Sequence, residues 1–345
     1  MKRDRGLDLS KFIGMTGIII AHCNNIPVWI DYIRHYEVIT LILVSAVLYS
    51  RSFIQKKEYE GLILSISRRI KRIVFPTWFF VSVVIGSLFI ASLITNRPFP
   101  YDLNTIIESY AMINGIGYVW IMLVYVFIGI GMPFIVIGIN RSGLKQKQIW
   151  ALLCVSYLFY ELLRCIIVKN QDNYPVMYYI KNTILYFLIY NIISVSYIYL
   201  EKEKKRIRIS FSALLLAGHF LSCLFTDFPV NILVGRYKYP PSFFYLLYSF
   251  GIAILIVEIC DSVKDKFAWA DRFLTFSSKN SQWIYFNHVL CIYIWNEFFD
   301  SDKWGEMFCF LFVGAYLLTL LNEKMVKVIS AGKFNVLKSF VKNIF

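Results

Sequence analysis

Lys11 and His22 stand eleven residues apart in one apolar stretch, RGLDLSKFIGMTGIIIAHCNN, from Arg5 to Asn25. An α-helix turns about 100° per residue, so eleven residues return to within roughly 20° of the starting direction and rise about 16 Å. Asp8, three residues before Lys11, falls on the same stripe, and Met15 and Ile18 fill the gap between the two bases. One helix face therefore offers a carboxylate, an ammonium near one end and an imidazole deep inside. An imidazole suits proton abstraction from a hydroxyl near neutral pH, or transient acyl carriage. Ionisable groups in hydrocarbon cost a few kcal/mol each on insertion scales, so they turn towards a bundle interior or a wet cavity. Asp8 and Lys11, taken singly, are equally well read as interfacial residues that orient the helix. His22 is the residue that asks for a site.

The elements that must position these groups are membrane helices. The chain has 345 residues, 58% of them hydrophobic, and a mean hydropathy of +0.58. Soluble domains do not carry a succession of twenty-residue apolar runs, and barrel strands would alternate polar with apolar residues. The expected fold class is all-α, a polytopic integral membrane protein. Apolar runs bounded by charge clusters give about ten spans: 9–28, 36–54, 73–95, 117–139, 147–168, 178–200, 209–227, 241–260, 278–297 and 304–322.

A net charge of +14 would point to nucleic acid in a soluble protein. Here the charges sit in short loops, and with both termini in the cytoplasm most of the 36 basic residues fall on the inner side. No nucleic-acid partner is expected. The seven cysteines are scattered without a CxxC, so neither a metal centre nor a disulfide framework is read. The basic N-terminus lacks a small-residue cleavage site and is read as a retained helix. Residues 1–322 are expected to form the membrane domain, and 323–345 a basic amphipathic tail on anionic lipid.

Other polar groups in the chain differ in depth and in partners. Arg68, Arg69 and Arg72, in RRIKRIVFPTW, lie at i, i+3 and i+4 spacing where the third span begins. They are a positive-inside anchor or a phosphate-binding patch, because guanidinium forks match phosphate oxygens. Pro76 is placed in the first turns of that span. The ninth span, SSKNSQWIYFNHVLCIYIW, is polar for its depth and makes His288 the second site candidate. Glu161 and Arg164 are read as a structural pair, His219 as a hydrogen-bonded interior histidine, and His35 as a residue of an outer loop without a role.

Several of these motifs resemble those of the membrane acyltransferase-3 family, whose members include bacterial surface-polysaccharide O-acetyltransferases. Lys11 and His22 fit its [Arg/Lys]-x10-His signature, and RGLDLSKFIGM is similar to its first-helix opening. Arg69-x-x-Arg72 followed by Pro76 matches its third-helix pattern. Tyr118–Trp120 with Pro133, Tyr239–Pro241 and Ser281 to Tyr285-x-x-His288 resemble later stretches. Ser45-Ala46 stands where Ser-Gly is common. No further hydrolase-like domain is read, so the chain is similar to the stand-alone members.

The resemblance implies transfer of an acetyl group from acetyl-CoA to a sugar hydroxyl, on a surface polysaccharide or its lipid-linked precursor, in the bacterial inner membrane. His22, Lys11, Asp8 and His288 are the implied catalytic group, with Asp8 orienting Lys11. Arg68, Arg69, Arg72 and Lys11 are the implied donor phosphate site. No metal is implied. A transporter or flippase for a lipid-linked sugar is the alternative; it would account for the helices and charge but does not ask for the aligned His22.

Overall fold

The computed structural model describes residues 3–54, 61–172, 174–225, 234–299 and 301–331. Fourteen α-helices run through them: α1 (Arg5–Ala21), α2 (Val28–Ile33), α3 (Glu37–Ile54), α4 (Leu62–Thr95), α5 (Leu103–Ala111), α6 (Trp120–Arg141) and α7 (Gln146–Asn170). Then follow α8 (Pro175–Ile180), α9 (Tyr186–Glu201), α10 (Lys205–Phe225), α11 (Phe243–Val263), α12 (Asp271–Lys279), α13 (Ser281–Phe298) and α14 (Trp304–Ala331). The described residues hold no strand, only one isolated bridge between Lys238 and Pro241. Among the described residues, eight helical stretches are long and apolar enough to cross a membrane. The chain is an all-α, multi-pass membrane protein.

Two helices in the sequence-derived set of ten are not among those eight. One is α1, which has 17 residues. The other is α13, whose Gln282, Asn287, His288, Asn296 and Glu297 dilute its apolar character. These are the two helices that carry His22 and His288. Their polarity is tolerated because both are wrapped by protein: α1 packs on α3, α11, α12, α13 and α14. The spans built on α3, α6, α9 and α11 are mostly buried, whereas those on α4, α7, α10 and α14 turn most of their surface outward. Outward side chains such as Leu93, Leu158, Leu214 and Leu317 are exposed apolar groups suited to lipid.

The start of α1 is fixed by Asp4, whose carboxylate accepts from the backbone N–H groups of Gly6 (3.1 Å) and Leu7 (3.3 Å). Arg51 then joins Asp4 (2.9 Å) to Glu201 (2.5 Å), tying α1, α3 and α9 at one end of the bundle. At the other end α1 lies against the first turn of α3. A Cβ on Gly17 would sit 2.9 Å from the Glu37 Cβ, closer than such atoms come. Gly17→Ala must push α1 from α3 and should cost about 1–3 kcal/mol, typical of overpacking. A lowered thermal midpoint of the purified protein in detergent would register it; an unchanged midpoint would refute the close approach.

Some boundaries differ from the sequence reading. Helix α4 begins at Leu62, eleven residues before the apolar run, so Arg68–Arg72 lie inside the helix and Pro76 falls in its interior, not its first turns. The basic turn preceding the run is helical because nothing in LILSISRRIKR breaks a helix. Glu161 and Arg164 do pair, and Glu161 also accepts from the Phe243 N–H at 3.1 Å. His219 is fully buried and hydrogen-bonded, 3.1 Å from the Tyr32 hydroxyl. His35 is no outer-loop residue: it lies in a 3₁₀ turn (Arg34–Tyr36) and is 5% exposed. The tail segment 323–331 continues α14, and 332–345 lies outside the described residues.

Candidate active site

His22 caps the C-terminal end of α1. Helix α13 delivers His288, fully buried, to its side, and His22 Nδ1 lies 3.1 Å from His288 Nε2. One of these two nitrogens carries the shared proton. If it is His22 Nδ1, the Nε2 of His22 keeps its lone pair free for an incoming hydroxyl. The Tyr118 ring lies 4.4 Å from the His22 ring, and the Tyr285 ring packs edge-on to His288 at 5.0 Å. Tyr285 donates its hydroxyl hydrogen to the Tyr118 carbonyl at 2.8 Å, locking the aromatic frame. Tyr118 is aimed by a turn that needs glycine: Gly115 has φ +88°, and a Cβ there would lie 2.8 Å from the Ser109 nitrogen.

Two cavities approach this frame from opposite ends of the helices. The first, about 670 Å³, is lined by Lys11, Arg68, Arg69, Arg72 and Lys279, with Ser45, Tyr49, Ser65, Tyr125 and Gln282 between them. None of the described residues that line it is a carboxylate. The Arg69 guanidinium carbon lies over the Tyr49 ring, 3.9 Å from its centroid, and the side chain is backed by Gly129, which leaves room for it. Lys11 donates to the Ser278 carbonyl at 2.9 Å. Five cations, with no carboxylate among the described lining residues, make this an anion site.

The second cavity, about 710 Å³, is lined by His22, Tyr118 and Trp120, and by Asp31, Arg34, His35, Glu37, Lys181 and Lys238. Its charges are mostly paired. Lys238 donates to Glu37 Oε1 at 2.6 Å, and both side chains are buried. Burial alone would lower the affinity of Lys238 for its proton, but the Glu37 carboxylate beside it holds the ammonium above its ordinary pKa. Arg34 joins Asp31 to Glu37. Ile18, Ile121 and Tyr285 line both cavities and are the side chains the two share.

The structure thus brings His22 and His288 together, and gathers Lys11 with Arg68, Arg69 and Arg72. Their cavities adjoin and are not one: the cations line the first, His22 lines the second, and His288 stands behind His22. Asp8 and Lys11 share no hydrogen bond. The Asp8 carboxylate is held by Arg3, with Nη2 3.0 Å from Oδ1, because Arg3 reaches back over the first turn of the helix. The Glu37–Lys238 pair and His35 were not read from the sequence as site residues. The usable signal was a lone carboxylate opening the run EVITLILVSAV and a lysine between apolar stretches in LVGRYKYPP, each of which needs a partner when buried.

No curated protein and no solved structure gives a significant match to the chain. A family described as an acyltransferase domain matches residues 4–322, nearly the whole length. With its helices, its paired histidines and that match together, the chain belongs to the acyltransferase-3 family.

Proposed function

We propose that the protein is a membrane-embedded O-acyltransferase that moves an acetyl group from acetyl-CoA to a hydroxyl of a cell-surface polysaccharide or its lipid-linked precursor. The observation that carries this reading is the cation-lined cavity set against a histidine-bearing one across Ile18, Ile121 and Tyr285. A CoA thioester has phosphates at one end and its reactive carbonyl at the tip of a long arm. With the N-terminus in the cytoplasm of a bacterial inner membrane, Arg68, Arg69, Arg72 and Lys11 receive the phosphates from the compartment that holds acetyl-CoA. The arm then points along α1 towards His22.

His22 Nε2 takes the proton of the acceptor hydroxyl, and the oxygen attacks the thioester carbonyl. The new C–O bond replaces the C–S bond, and the CoA thiolate leaves on the cation-lined side. His288 holds the His22 ring and takes up part of the positive charge that forms. The apolar wall between the cavities keeps water from the thioester. Membership of an acyltransferase family favours group transfer over transport of a lipid-linked sugar.

The donor half is tested by replacing Arg69 and Arg72 singly with Gln. A hydrogen bond to a charged group contributes about 1.5–3 kcal/mol, so KM for acetyl-CoA should rise about 10- to 100-fold in each variant. Acceptor KM and protein level should stay near wild type. Unchanged donor KM in both variants would remove the phosphate role.

A further inference from the structure

The charges on the wall of the second cavity do not cancel. Arg34, Lys181 and Lys238 line it together with Asp31 and Glu37, which leaves one positive charge over when both histidines are neutral. Arg34 and Lys238 are taken up by the two carboxylates. The surplus cation is therefore Lys181. Among the described residues its ammonium meets neutral groups only: it donates to Gln171 Oε1 at 2.9 Å and lies 5.6 Å from the Tyr178 ring centroid. Glu108 accepts from Asn104 and Tyr179, at 3.4 Å each, and is not among the lining residues.

The place of Lys181 in the fold calls for a use. With the N-terminus in the cytoplasm, this end of the bundle is extracytoplasmic, where the positive-inside rule gives a lysine no default role. Lys181 opens a π-helical turn, Lys181–Leu185, between α8 and α9. Such turns inside α-helices are frequent at functional sites. The side chain is half-buried, so part of its hydration is lost with no counter-ion in return. A flexible stem and three rotatable donors let the ammonium turn to a new partner. Exchanging the Gln171 amide for an oxyanion strengthens that hydrogen bond. Elsewhere on the wall Tyr118, its ring 4.4 Å from that of His22, is 46% exposed, and Tyr239 is 48% exposed. These open aromatic faces suit the C–H face of a sugar ring.

We propose that Lys181 selects an acceptor that carries an oxyanion, either a carboxylate on the sugar or a phosphate that links it, and holds that charge at its own corner of the cavity while a hydroxyl of the same molecule lies at His22. This rests on the reading of the His22 cavity as the acceptor site. The two cavities then take anions by different means. The first sets five cations around several phosphates, whereas the second, among its described residues, sets one unpaired cation for a single charge.

The experiment uses the full-length protein in detergent, with CoA at saturation to fill the cation-lined cavity, and methyl glycosides of three hexose configurations. Each is paired with its uronate, which carries the charge on the sugar, and with its 1-(methyl phosphate), which carries it on the linkage. Binding is read by equilibrium dialysis, and acetyl transfer separately by label from acetyl-CoA. At least one anionic form should bind about 10- to 100-fold tighter than its neutral partner, the range for a hydrogen bond to a charged group. Lys181→Met should bring that ratio to near unity, and Lys181→Arg should keep most of it. If Lys181→Met does not yield a monodisperse protein, Lys181→Gln should do the same. A preferred uronate assigns the charge to the glycan, and a preferred phosphate assigns it to the carrier. Neutral forms bound as well as both anions, a ratio unaltered in Lys181→Met, a ratio lost in Arg69→Gln instead, or no binding of any probe would overturn the proposal. Selective binding without acetyl transfer would leave it standing and sink the enzymatic reading instead; transfer without a charge preference would do the reverse.

Discussion

Replacing His22 with alanine should lower the acyl-transfer rate by about 10²–10⁴-fold, the usual contribution of a positioned general base, with donor affinity unchanged. The size of the expected loss follows from position. His22 lines the acceptor-side cavity, and its Nδ1 is taken up by His288 at 3.1 Å, so Nε2 is the nitrogen left to act. Donor affinity should be spared because the cations line the neighbouring cavity, from which His22 is absent. His288→Ala should give a smaller loss, since it removes the partner and not the base. Turnover in membranes with matched protein levels is the measurement. Activity within a few-fold of wild type for His22→Ala would end the catalytic assignment.

The second large effect is on stability. Lys238→Met should cost about 3–5 kcal/mol, the range for removing one partner of a buried pair, because Glu37 is fully buried and would keep a charge with only the longer Arg34 contact, 3.4 Å. The double substitution Lys238→Met with Glu37→Leu should recover most of that loss, since apolar groups of similar volume replace a buried pair at little net cost. Denaturant unfolding in detergent gives both numbers, and a single variant as stable as wild type would show that the pair is not desolvated.

What the sequence conveyed was local and periodic. The apolar runs fixed the helical class, and the eleven-residue spacing put Lys11 and His22 on one helix; α1 holds Lys11, and His22 caps its C-terminal end. The cluster Arg68, Arg69 and Arg72 follows from helical spacing as well, although the helix that holds it starts earlier than hydropathy indicates. Contacts between distant segments were not legible. His22 and His288 are separated by 266 residues, and no pattern within either helix says that they meet. Glu37 and Lys238, 201 apart, belong to the same class. His35 was misplaced because a polar residue between two apolar runs looks like a loop, whereas here a short helical turn folds back under Tyr245. The hydrogen bond of Asp8 to Arg3 was likewise not legible: two bases lie within reach, and Lys11 turns its ammonium to a carbonyl on α12.

The wall formed by Ile18, Ile121 and Tyr285 has an electrical consequence. Where polar recesses reach inwards from both ends of a bundle, the membrane voltage drops mainly across the thin barrier between them. Carrying one elementary charge over such a barrier involves about 2.3 kcal/mol per 100 mV. On the proposed reading the CoA thiolate is left in one recess and the hydroxyl proton on His22 in the other, so transfer separates one elementary charge across the barrier until that proton returns to the thiolate. The hydroxyl proton is then the one charge whose route could tie turnover to the state of the energised membrane.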